Sequence, residues 1–379
     1  MRILFVSPVR RNPDAGASGV YHGFADGLRQ LGHTVDLFHQ EDILGYPGKV
    51  QDKFLMPDIV SRFLLKDRRW EGYDVVQVPS GLGWKAFKKI SRARRRPGRP
   101  LLVNQIHGLS FFDHESRLGE ARRGHLRLSP QYRLITGRLP VWWDSKGVES
   151  ADITLVFTTR DRDLLADEHS ARAATIYRIV PPISETFFCE PVHRSPDSAR
   201  AIRLLVWGSW IARKGVAYLV PAFEALAEKL EGVTLTIGGA GLPADRVLAD
   251  FSPGHRYRVS VLPHVDRRVQ IELFDQHDIM LFPSLSEGFG LAVLEAMARG
   301  LTVITTFTGI GYDLLLPGEN AVVIPTACSS CLADAVLRLI ADDGLRTGIG
   351  KRARETALLH GPSECCRRLA EIYQENLPR

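Results

Sequence analysis

The fold is decided first by residues 1–38, which read MRILFVSPVRRNPDAGASGVYHGFADGLRQLGHTVDLF. A short apolar run at Ile3–Val6 is followed by a glycine-containing loop and by an amphipathic helical pattern from about Val20 to Leu31. A glycine ends that pattern, and a second apolar run follows at Thr34–Phe38. This order of strand, loop, helix and strand is a βαβ unit, which predicts a parallel, doubly wound sheet.

A second copy of the same design begins at Leu204–Trp207 and continues with a helical pattern and another strand at Val233–Ile237. The chain is therefore predicted to be α/β, with two Rossmann-like domains. Ligands of open parallel sheets lie beyond the carboxyl ends of the strands, so two such edges facing across a cleft would suit the joining of two substrates. The predicted parts are an N-terminal domain at 1–184, a linker at 185–201, a C-terminal domain at 202–361 and a last helix at 362–379 that packs back toward the N-terminal domain.

The composition is that of an ordinary globular protein, with 45% hydrophobic and 24% charged residues among 379. These values exclude a disordered chain, a collagen-like fibre and a small disulfide scaffold. No apolar run approaches the length of a membrane span, and the N-terminus enters a strand without a signal-peptide pattern, so we expect a cytoplasmic protein. The five cysteines fit a reducing compartment, and we expect Cys328 and Cys331, despite their CxxC spacing, to be structural or incidental thiols.

Positive charge is concentrated in the first half of the chain, where residues 1–184 hold 29 Lys and Arg against 20 Asp and Glu. The run at 88–99, KKISRARRRPGR, has seven positive residues and no acid, and Arg117, Arg122, Arg123 and Arg127 form a second basic stretch. Three interpretations stay open for these stretches: contact with anionic lipid headgroups, recognition of a phosphorylated acceptor, or a solvated surface. Nucleic-acid binding is not expected, because the runs lack interleaved aromatic residues and a recognised module.

The most informative block is SLSEGFGLAVLEAMARG at 284–300, which follows a buried strand. The glycines on either side of Phe289 allow backbone amides to approach a ligand, and a helix start presents partial positive charge to an anion. Glu295 lies about one turn into that helix, where a carboxylate can accept hydrogen bonds from a ribose diol. Glu287 lies in the loop, within reach of a reacting sugar. The alternative is a glycine turn flanked by two solvated glutamates.

A second block, WGSWIARKG at 207–215, also follows a strand. Its Lys214, with Arg213 beside it, can offset the charge of a diphosphate leaving group. The alternative is a basic pair on the surface.

Together the two blocks resemble retaining glycosyltransferases of family four, the group 1 family with the GT-B fold. The spacing of Glu287 and Glu295 matches that family's E-x7-E motif, and Lys214-Gly215 matches its strand, loop and Lys-Gly segment. Weaker matches are the N-terminal strand with its glycine loop, the Gly32-His33-Thr34-Val35 strand entry, the Gln105-Ile106-His107-Gly108 segment, the Val180-Pro181-Pro182-Ile183 linker entry and the Gly318-Glu319-Asn320 turn.

The resemblance implies transfer of a sugar from a nucleotide-diphosphate donor with retention at the anomeric carbon. The C-terminal domain would hold the donor, with a uridine nucleotide as the first expectation, and the N-terminal domain would hold the acceptor. The implied catalytic residues are His107, Lys214 and Glu287. The implied donor-binding residues are Gly16, Gly19, Ser209, Arg213, Lys214, Pro263, His264, Val265, Glu287, Gly288, Phe289, Gly290, Leu291 and Glu295.

Two departures from the family pattern concern the donor side and the linker. Ser209 stands where the family usually has Arg, so Arg213 is expected to supply that charge. Pro182-Ile183 replaces the usual Asn-Gly after the linker proline. No metal and no other cofactor are expected, because no Asp-x-Asp triplet follows a strand to hold a divalent ion.

The expected activity is a glycosyltransferase in glycolipid, polysaccharide or other glycoconjugate synthesis. Its acceptor would be anionic, lipid-linked or saccharide, and residues 88–99 would contact the inner face of the membrane. Three alternatives remain: a sugar-nucleotide epimerase of the same architecture, a natural-product glycosyltransferase acting on small molecules, and a degenerate binding protein. Retention of Lys214, Glu287 and Glu295 together argues against the last of these.

Overall fold

The computed structural model describes residues 1–14, 16–44, 53–92, 98–191 and 202–378. The chain forms two compact units. The first comprises residues 1–114, 129–184 and 360–379, and the second comprises 115–128 and 185–359. The predicted boundaries placed 115–128 in the first domain, whereas the structure groups this segment with the second unit. Most of the predicted linker, 192–201, lies outside the described residues, as do residues 93–97 of the basic run.

The first unit is built on a six-stranded sheet with the strand order β2-β1-β3-β4-β5-β6, and all its pairings are parallel. The central strands β3 and β4 are buried throughout, which explains their continuous apolar runs. Its strands are β1 (Arg2–Val6), β2 (Thr34–Phe38), β3 (Val75–Pro79), β4 (Leu101–Gln105), β5 (Ile153–Val156) and β6 (Ile176–Arg178).

Helices alternate with these strands, and a last helix completes the unit. They are α1 (Gly16–Gln30), α2 (Gln40–Leu44), α3 (Met56–Leu65), α4 (Trp84–Arg92), α5 (Ser110–Arg122), α6 (Leu139–Ser150), α7 (Thr159–Glu168) and α14 (Pro362–Asn376). Beyond His114, α5 belongs to the second unit. Helix α14 packs on α1 so tightly that a Cβ at Gly27 would overlap the Cys366 sulfur, and the hydroxyl of its Tyr373 donates to Oε1 of Gln77 in β3.

The start of α1 corrects the sequence prediction. The helix begins at Gly16 rather than near Val20, so Gly16 and Gly19 lie in its first turn instead of in a loop. The hydroxyl of Ser18 accepts a hydrogen bond from the backbone amide of Asn12 at 3.0 Å. A Cβ at Gly19 would lie 3.0 Å from the carbonyl oxygen of Pro13, so the absent side chain lets the preceding loop fold back onto the helix.

The second unit repeats the design, with the strand order β12-β11-β10-β7-β8-β9 and parallel pairing throughout. Its strands are β7 (Arg203–Trp207), β8 (Thr234–Gly238), β9 (Val259–Leu262), β10 (Ile279–Phe282), β11 (Thr302–Thr306) and β12 (Val322–Ile324). Its further helices are α8 (Val216–Lys229), α9 (Ala244–Leu248), α10 (Arg267–Gln276), α11 (Leu291–Ala298), α12 (Ser329–Ala341) and α13 (Asp343–Leu358). The predicted two α/β domains with doubly wound parallel sheets are thus confirmed.

The cysteines differ from the expectation in one respect. Cys328 and Cys331 are joined by a disulfide at the start of α12, whereas the sequence interpretation treated them as thiols. Their separation of three residues brings the two side chains together across the first turn of the helix, which a count of cysteines does not reveal. In the described parts of the chain, every helix is too short or too polar to cross a membrane.

Candidate functional site

The loop after β7 places Lys214 at the carboxyl edge of the second sheet. A single 3₁₀ turn, Ala212–Lys214, ends at Gly215, whose φ of 76° lies in the left-handed region. A Cβ at Gly215 would overlap the carbonyl oxygen of Pro283, just beyond β10. Only glycine satisfies both conditions, so the close approach between these two strand ends requires the glycine of the Lys-Gly pair.

The side chains of the two predicted blocks meet at this edge. Nζ of Lys214 lies 2.7 Å from Oε1 of Glu287, and a guanidinium nitrogen of Arg213 lies 3.0 Å from the same oxygen. Arg213 also donates to the Ser286 carbonyl at 2.6 Å. Below the ammonium group, the ring of Phe282 lies 4.2 Å away. The structure therefore brings Lys214, Arg213 and Glu287 into one cluster.

Charges within this cluster control one another. The Glu287 side chain is only 8% exposed, and burial by itself raises its pKa, but Lys214 and Arg213 outweigh burial and hold the pKa below its usual value of 4.5. Burial lowers the pKa of Lys214, and the Glu287 carboxylate partly opposes that change. One carboxylate thus faces two cations, so the cluster keeps positive charge that can attract a phosphate group.

The turn between Glu287 and α11 exposes the start of a helix to the same edge. Gly290 caps α11 with a φ of 91°, and Phe289 is buried beneath the turn, where its carbonyl accepts from the amide of Ile310 at 2.6 Å. Gly288 and Leu291 lie half-buried on either side. The first amides of an α-helix lack partners within the helix and carry partial positive charge, so this turn can hold an anion.

Glu295 lies one turn into α11, where its carboxylate has a partner that the sequence interpretation missed. Nε2 of Gln270, a buried residue of α10, donates to Oε2 of Glu295 at 2.7 Å. The hydrogen bond fixes the carboxylate, and carboxylate oxygens accept several hydrogen bonds each, so a diol can still bind. Nothing in the spacing of Gln270 relative to the motif could have found it, because the two residues lie on different helices.

The ends of β8 and β9 carry the segment that was predicted to face the base. The Pro263 carbonyl accepts from the amide of Gly241 at 2.9 Å, and His264 beside it is exposed while Val265 is half-buried. Ser209 is exposed, just after the end of β7. Its hydroxyl oxygen lies close to Gly241, because a Cβ built on that glycine would be 3.9 Å from the oxygen.

At this edge the backbone has a positive φ at Gly239 and at Gly241. Because neither residue has a side chain, a ligand can approach the backbone there. The sequence interpretation missed them. The run IGGAG at 237–241, directly after a strand, was the signal that could have found them.

The remaining predicted residues, His107, Gly16 and Gly19, lie in the first unit. His107 follows β4, and its ring packs against Tyr21 and Phe157 with centroids 5.3 and 5.2 Å away. Its Nε2 is buried and has no hydrogen-bond partner among the described residues. Burial lowers the pKa of His107 to about 4, so the imidazole is neutral near pH 7.

Metal-binding side chains do not cluster in the described part of the chain: no group of three or more His, Cys, Asp or Glu could hold an ion there. The expectation that no metal is required stays a prediction.

The second unit contains the part of the chain that matches a known family. Residues 201–342 match the family model described as Glycosyl transferases group 1. A D-inositol 3-phosphate glycosyltransferase of Xylanimonas cellulosilytica is 28% identical over 246 residues, which cover 61% of this chain and 59% of that protein. An Alpha-D-kanosaminyltransferase of Streptomyces kanamyceticus is 26% identical over 320 residues, which cover 81% of this chain and 78% of that protein. The match to the first relative therefore spans less than two thirds of its length.

Solved structures show the same architecture over the whole chain. Sucrose-phosphate synthase from Thermosynechococcus elongatus has a TM-score of 0.78 and 18% identity, with 99% of this chain and 98% of that chain covered. Alr3699/HepE of Anabaena, solved in complex with UDP-glucose, has a TM-score of 0.68 and 18% identity, with 99% and 100% covered. At these identities the likeness concerns the fold.

The two parallel sheets and these neighbours define a two-domain α/β protein of the GT-B fold. Within that class, the second unit matches the group 1 glycosyltransferases over residues 201–342, and the relatives named above are glycosyltransferases. These findings agree with the GT-B fold and the group 1 family expected from the sequence, whereas retention at the anomeric carbon stays a prediction.

Proposed function

We propose that the protein transfers a sugar from a nucleoside diphosphate donor to an acceptor, with retention of the anomeric configuration. The observation that carries this proposal is the cluster of Lys214, Arg213 and Glu287 beside the start of α11, one helical turn from Glu295. A positive cluster, a set of helix-terminal amides and a fixed carboxylate at one sheet edge match the diphosphate and the ribose of such a donor.

The donor would bind along the carboxyl edge of the second sheet. Its diphosphate would contact Lys214, Arg213 and the amides from Gly288 to Leu291, and its ribose diol would donate to Glu295. The base would lie near Pro263, His264 and Val265, with Ser209 at the end of β7 close to the phosphates. UDP is the nucleotide proposed, in keeping with the UDP-glucose complex of Alr3699/HepE.

The chemistry proposed breaks the bond between the anomeric carbon and the donor's phosphate oxygen and forms a bond from the acceptor oxygen on the same face. The acceptor proton passes to an oxygen of the leaving diphosphate, so no protein base is required. Lys214 and Arg213 stabilise the charge that develops on that diphosphate, an effect that is usually the largest in such reactions. Glu287 holds the two cations in place and contacts the sugar.

The acceptor proposed is anionic, lipid-linked or a saccharide, since the first half of the chain is basic. The relatives' names point to an inositol phosphate in one case and to kanosaminyl transfer in another, so a phosphorylated polyol and a small natural product are both to be tried. We propose a cytoplasmic protein that contacts anionic membrane through its basic residues at 88–99.

Nucleotide release tests the proposal directly. We expect UDP-glucose to release UDP only when an acceptor is present, and the anomeric proton of the product to keep the donor's configuration by NMR. Glu287→Ala and His107→Ala should lower the rate, whereas an exposed control, Lys229→Ala at the end of α8, should not. Acceptor-independent release of nucleotide with an epimerised sugar would instead establish an epimerase.

A panel of nucleotides in a thermal-shift measurement tests the donor separately. A ligand that binds only the folded state raises the melting temperature by mass action, so UDP should raise it more than ADP or GDP. Equal shifts with every nucleotide, or none with any, would contradict the donor assignment.

A further inference from the structure

One face of the helical segment around α6 carries large apolar side chains in water. A turn with π-helical hydrogen bonding, Tyr132–Thr136, precedes α6. The amide of Arg138 donates to the Ile135 carbonyl, and the amide of Trp142 donates to the Arg138 carbonyl, so helical turns continue from Ile135 into α6. Residues spaced by three or four positions share a helix face, so Ile135, Arg138 and Trp142 lie on the same side.

The exposed fractions on this face are high for apolar residues: 72% for Leu134, 62% for Ile135 and 44% for Trp142. Single exposed apolar residues are common on protein surfaces and need no explanation. Here Ile135 and Trp142 share one face and Leu134 directly precedes Ile135, so the three form a patch, and such patches mark contacts with another molecule or with a membrane.

Trp142 has an aromatic neighbour, Trp84, and each of the two indole rings has an ammonium group near it. The ring of Trp84, the first residue of α4, packs edge-on against Trp142 with centroids 5.5 Å apart. Nζ of Lys88 lies 5.0 Å from the centroid of Trp84, and Nζ of Lys146 lies 6.0 Å from that of Trp142. Indole rings with adjacent cations are the side chains that membrane proteins place at the level of lipid headgroups.

The charges around the patch are mostly positive. Residues 129–143 contain Arg133 and Arg138 and no acid, and α4 contains four basic residues and no acid. The acidic residues within the two helices are Asp144 and Glu149, both in α6. Asp58 pairs with Lys85, Glu149 pairs with Lys146 at 2.5 Å, and Asp144 is buried. The exposed charge that faces outward therefore comes from residues such as Lys88, Lys89, Arg92, Arg133 and Arg138.

We propose that the α4–α6 surface, made of Leu134, Ile135, Trp84, Trp142 and these basic residues, docks on an anionic lipid bilayer. The two aliphatic side chains and Trp142 would enter the boundary between headgroups and acyl chains, and the Lys and Arg side chains would contact lipid phosphates. The inference rests on the membrane contact in the proposed function and deepens it, because it adds apolar anchors from α6 and the turn before it to the basic run of α4.

An apolar anchor surrounded by flexible cations fits a bilayer better than a protein partner. A protein partner needs a surface complementary in shape, whereas a bilayer accepts any convex face that offers both components. Positive charge alone gives weak, salt-sensitive adsorption, and apolar insertion makes binding persist when salt screens the charges.

Vesicle co-sedimentation of the full chain tests the proposal, with vesicles of phosphatidylcholine alone and of equal parts phosphatidylglycerol and phosphatidylcholine. We expect binding to the anionic vesicles that weakens in high salt without vanishing. The double variant Leu134→Ser/Ile135→Ser should lower the partition coefficient about tenfold or more, because it removes the inserted apolar groups. Arg133→Glu/Arg138→Glu should remove the preference for anionic vesicles.

The matched control is Leu358→Ser/Leu359→Ser, a consecutive apolar pair that is 49% and 73% exposed at the end of α13. This control should bind vesicles as the unchanged protein does. Circular dichroism and the UDP thermal shift establish that each variant is folded.

Three results would overturn the proposal: no binding to anionic vesicles, binding that the Leu134 and Ile135 variant retains in full, or an equal loss in the control pair. Failure here is distinguishable from failure of the proposed transfer. Lys214→Met should remove acceptor-dependent UDP release while vesicle binding persists, and a protein that releases UDP with a soluble acceptor but ignores vesicles refutes only the docking surface.

Discussion

The ammonium group of Lys214 lies 2.7 Å from Oε1 of Glu287, although 73 residues separate the two along the chain. They meet because β7 and β10 are hydrogen-bonded neighbours, and each residue follows the carboxyl end of its strand. The same carboxylate oxygen also lies 3.0 Å from Arg213. The contact is therefore a direct product of parallel strand order, and it joins the two sequence blocks that carry the proposed chemistry.

Replacing Lys214 with Met should lower kcat by about 10²–10³ and change the KM for the donor less, because the ammonium group acts mainly on charge that develops as the diphosphate leaves. Steady-state UDP release measures both constants. The matched control is Lys229→Met, an exposed lysine at the end of α8. A kcat for Lys214→Met within twofold of the unchanged protein would remove this lysine from the mechanism.

The ion pair should also contribute to stability. Lys214→Met leaves the buried Glu287 carboxylate with Arg213 as its cationic partner, which we expect to cost about 3 kcal/mol of unfolding free energy. In a double-mutant cycle with Glu287→Gln, the double variant should be more stable than the sum of the single losses predicts. Urea unfolding of the four proteins measures the coupling, and strictly additive losses would show that the pair is energetically independent.

Gly215→Ala should disrupt the loop that positions Lys214. Its Cβ would overlap the Pro283 carbonyl oxygen, and a φ of 76° disfavours any side chain. We expect a loss of more than about 2 kcal/mol together with a loss of activity. Gly254→Ala serves as the control, because its Cβ would meet no atom within 4 Å. Equal melting temperatures for the two variants would contradict this reasoning.

The buried carboxyl group of Asp144 should make the free energy of unfolding decrease as the pH rises. Burial raises the pKa of its carboxyl from 3.8 to about 7, even though the Ser110 amide donates to it. Between these two values the folded protein holds a proton that the unfolded chain has lost, so stability decreases from pH 4 to pH 7 and is then constant with respect to this group. The decrease is up to about 4 kcal/mol.

Asp144→Asn should remove that slope, since the amide stays neutral and its oxygen can still accept from Ser110. Urea midpoints across the acidic range measure it, with the exposed Asp167→Asn as the control. A slope that survives in Asp144→Asn would assign the pH dependence to another group.

The Glu295 carboxylate, which Gln270 holds in place, should increase the affinity only for ligands that have a ribose diol. Glu295→Gln is expected to weaken UDP binding about tenfold or more, since a charged hydrogen-bond acceptor is lost, and Gln270→Ala should weaken it less. Titration calorimetry with UDP and with its 2′,3′-dideoxy analogue separates the contributions. If Glu295→Gln weakens both ligands equally, the carboxylate does not bind the sugar of the nucleotide.

The architecture could be predicted because its signals are local. The buried strands have continuous apolar runs, and glycine marks the ends of the helices between them, so the two sheets follow from the sequence. The residues that meet at Lys214 could also be anticipated, because each directly follows a strand and parallel strands bring such positions to one edge.

The structural features that could not be predicted from the sequence depend on contacts between segments that are distant along the chain. Gln270 reaches Glu295 from another helix, and no spacing rule links the two. The early start of α1 depends on the preceding loop folding back to Ser18, where it supplies an amide for the hydroxyl. Segment 115–128 belongs to the second unit, where the Tyr218 hydroxyl donates to the buried Glu120 carboxylate at 2.8 Å, a contact between residues 98 positions apart.

The position of α14 in the chain has a consequence for the order in which the two units fold. It packs directly against Gly27 of α1, and its Cys366, Leu369 and Tyr373 are completely buried. A ribosome completes every segment of the second unit before it synthesises this helix, and domains tend to fold as their segments emerge. The first unit should therefore finish folding only after the second unit has been synthesised, leaving the nascent α1 surface open to chaperones until α14 has been made.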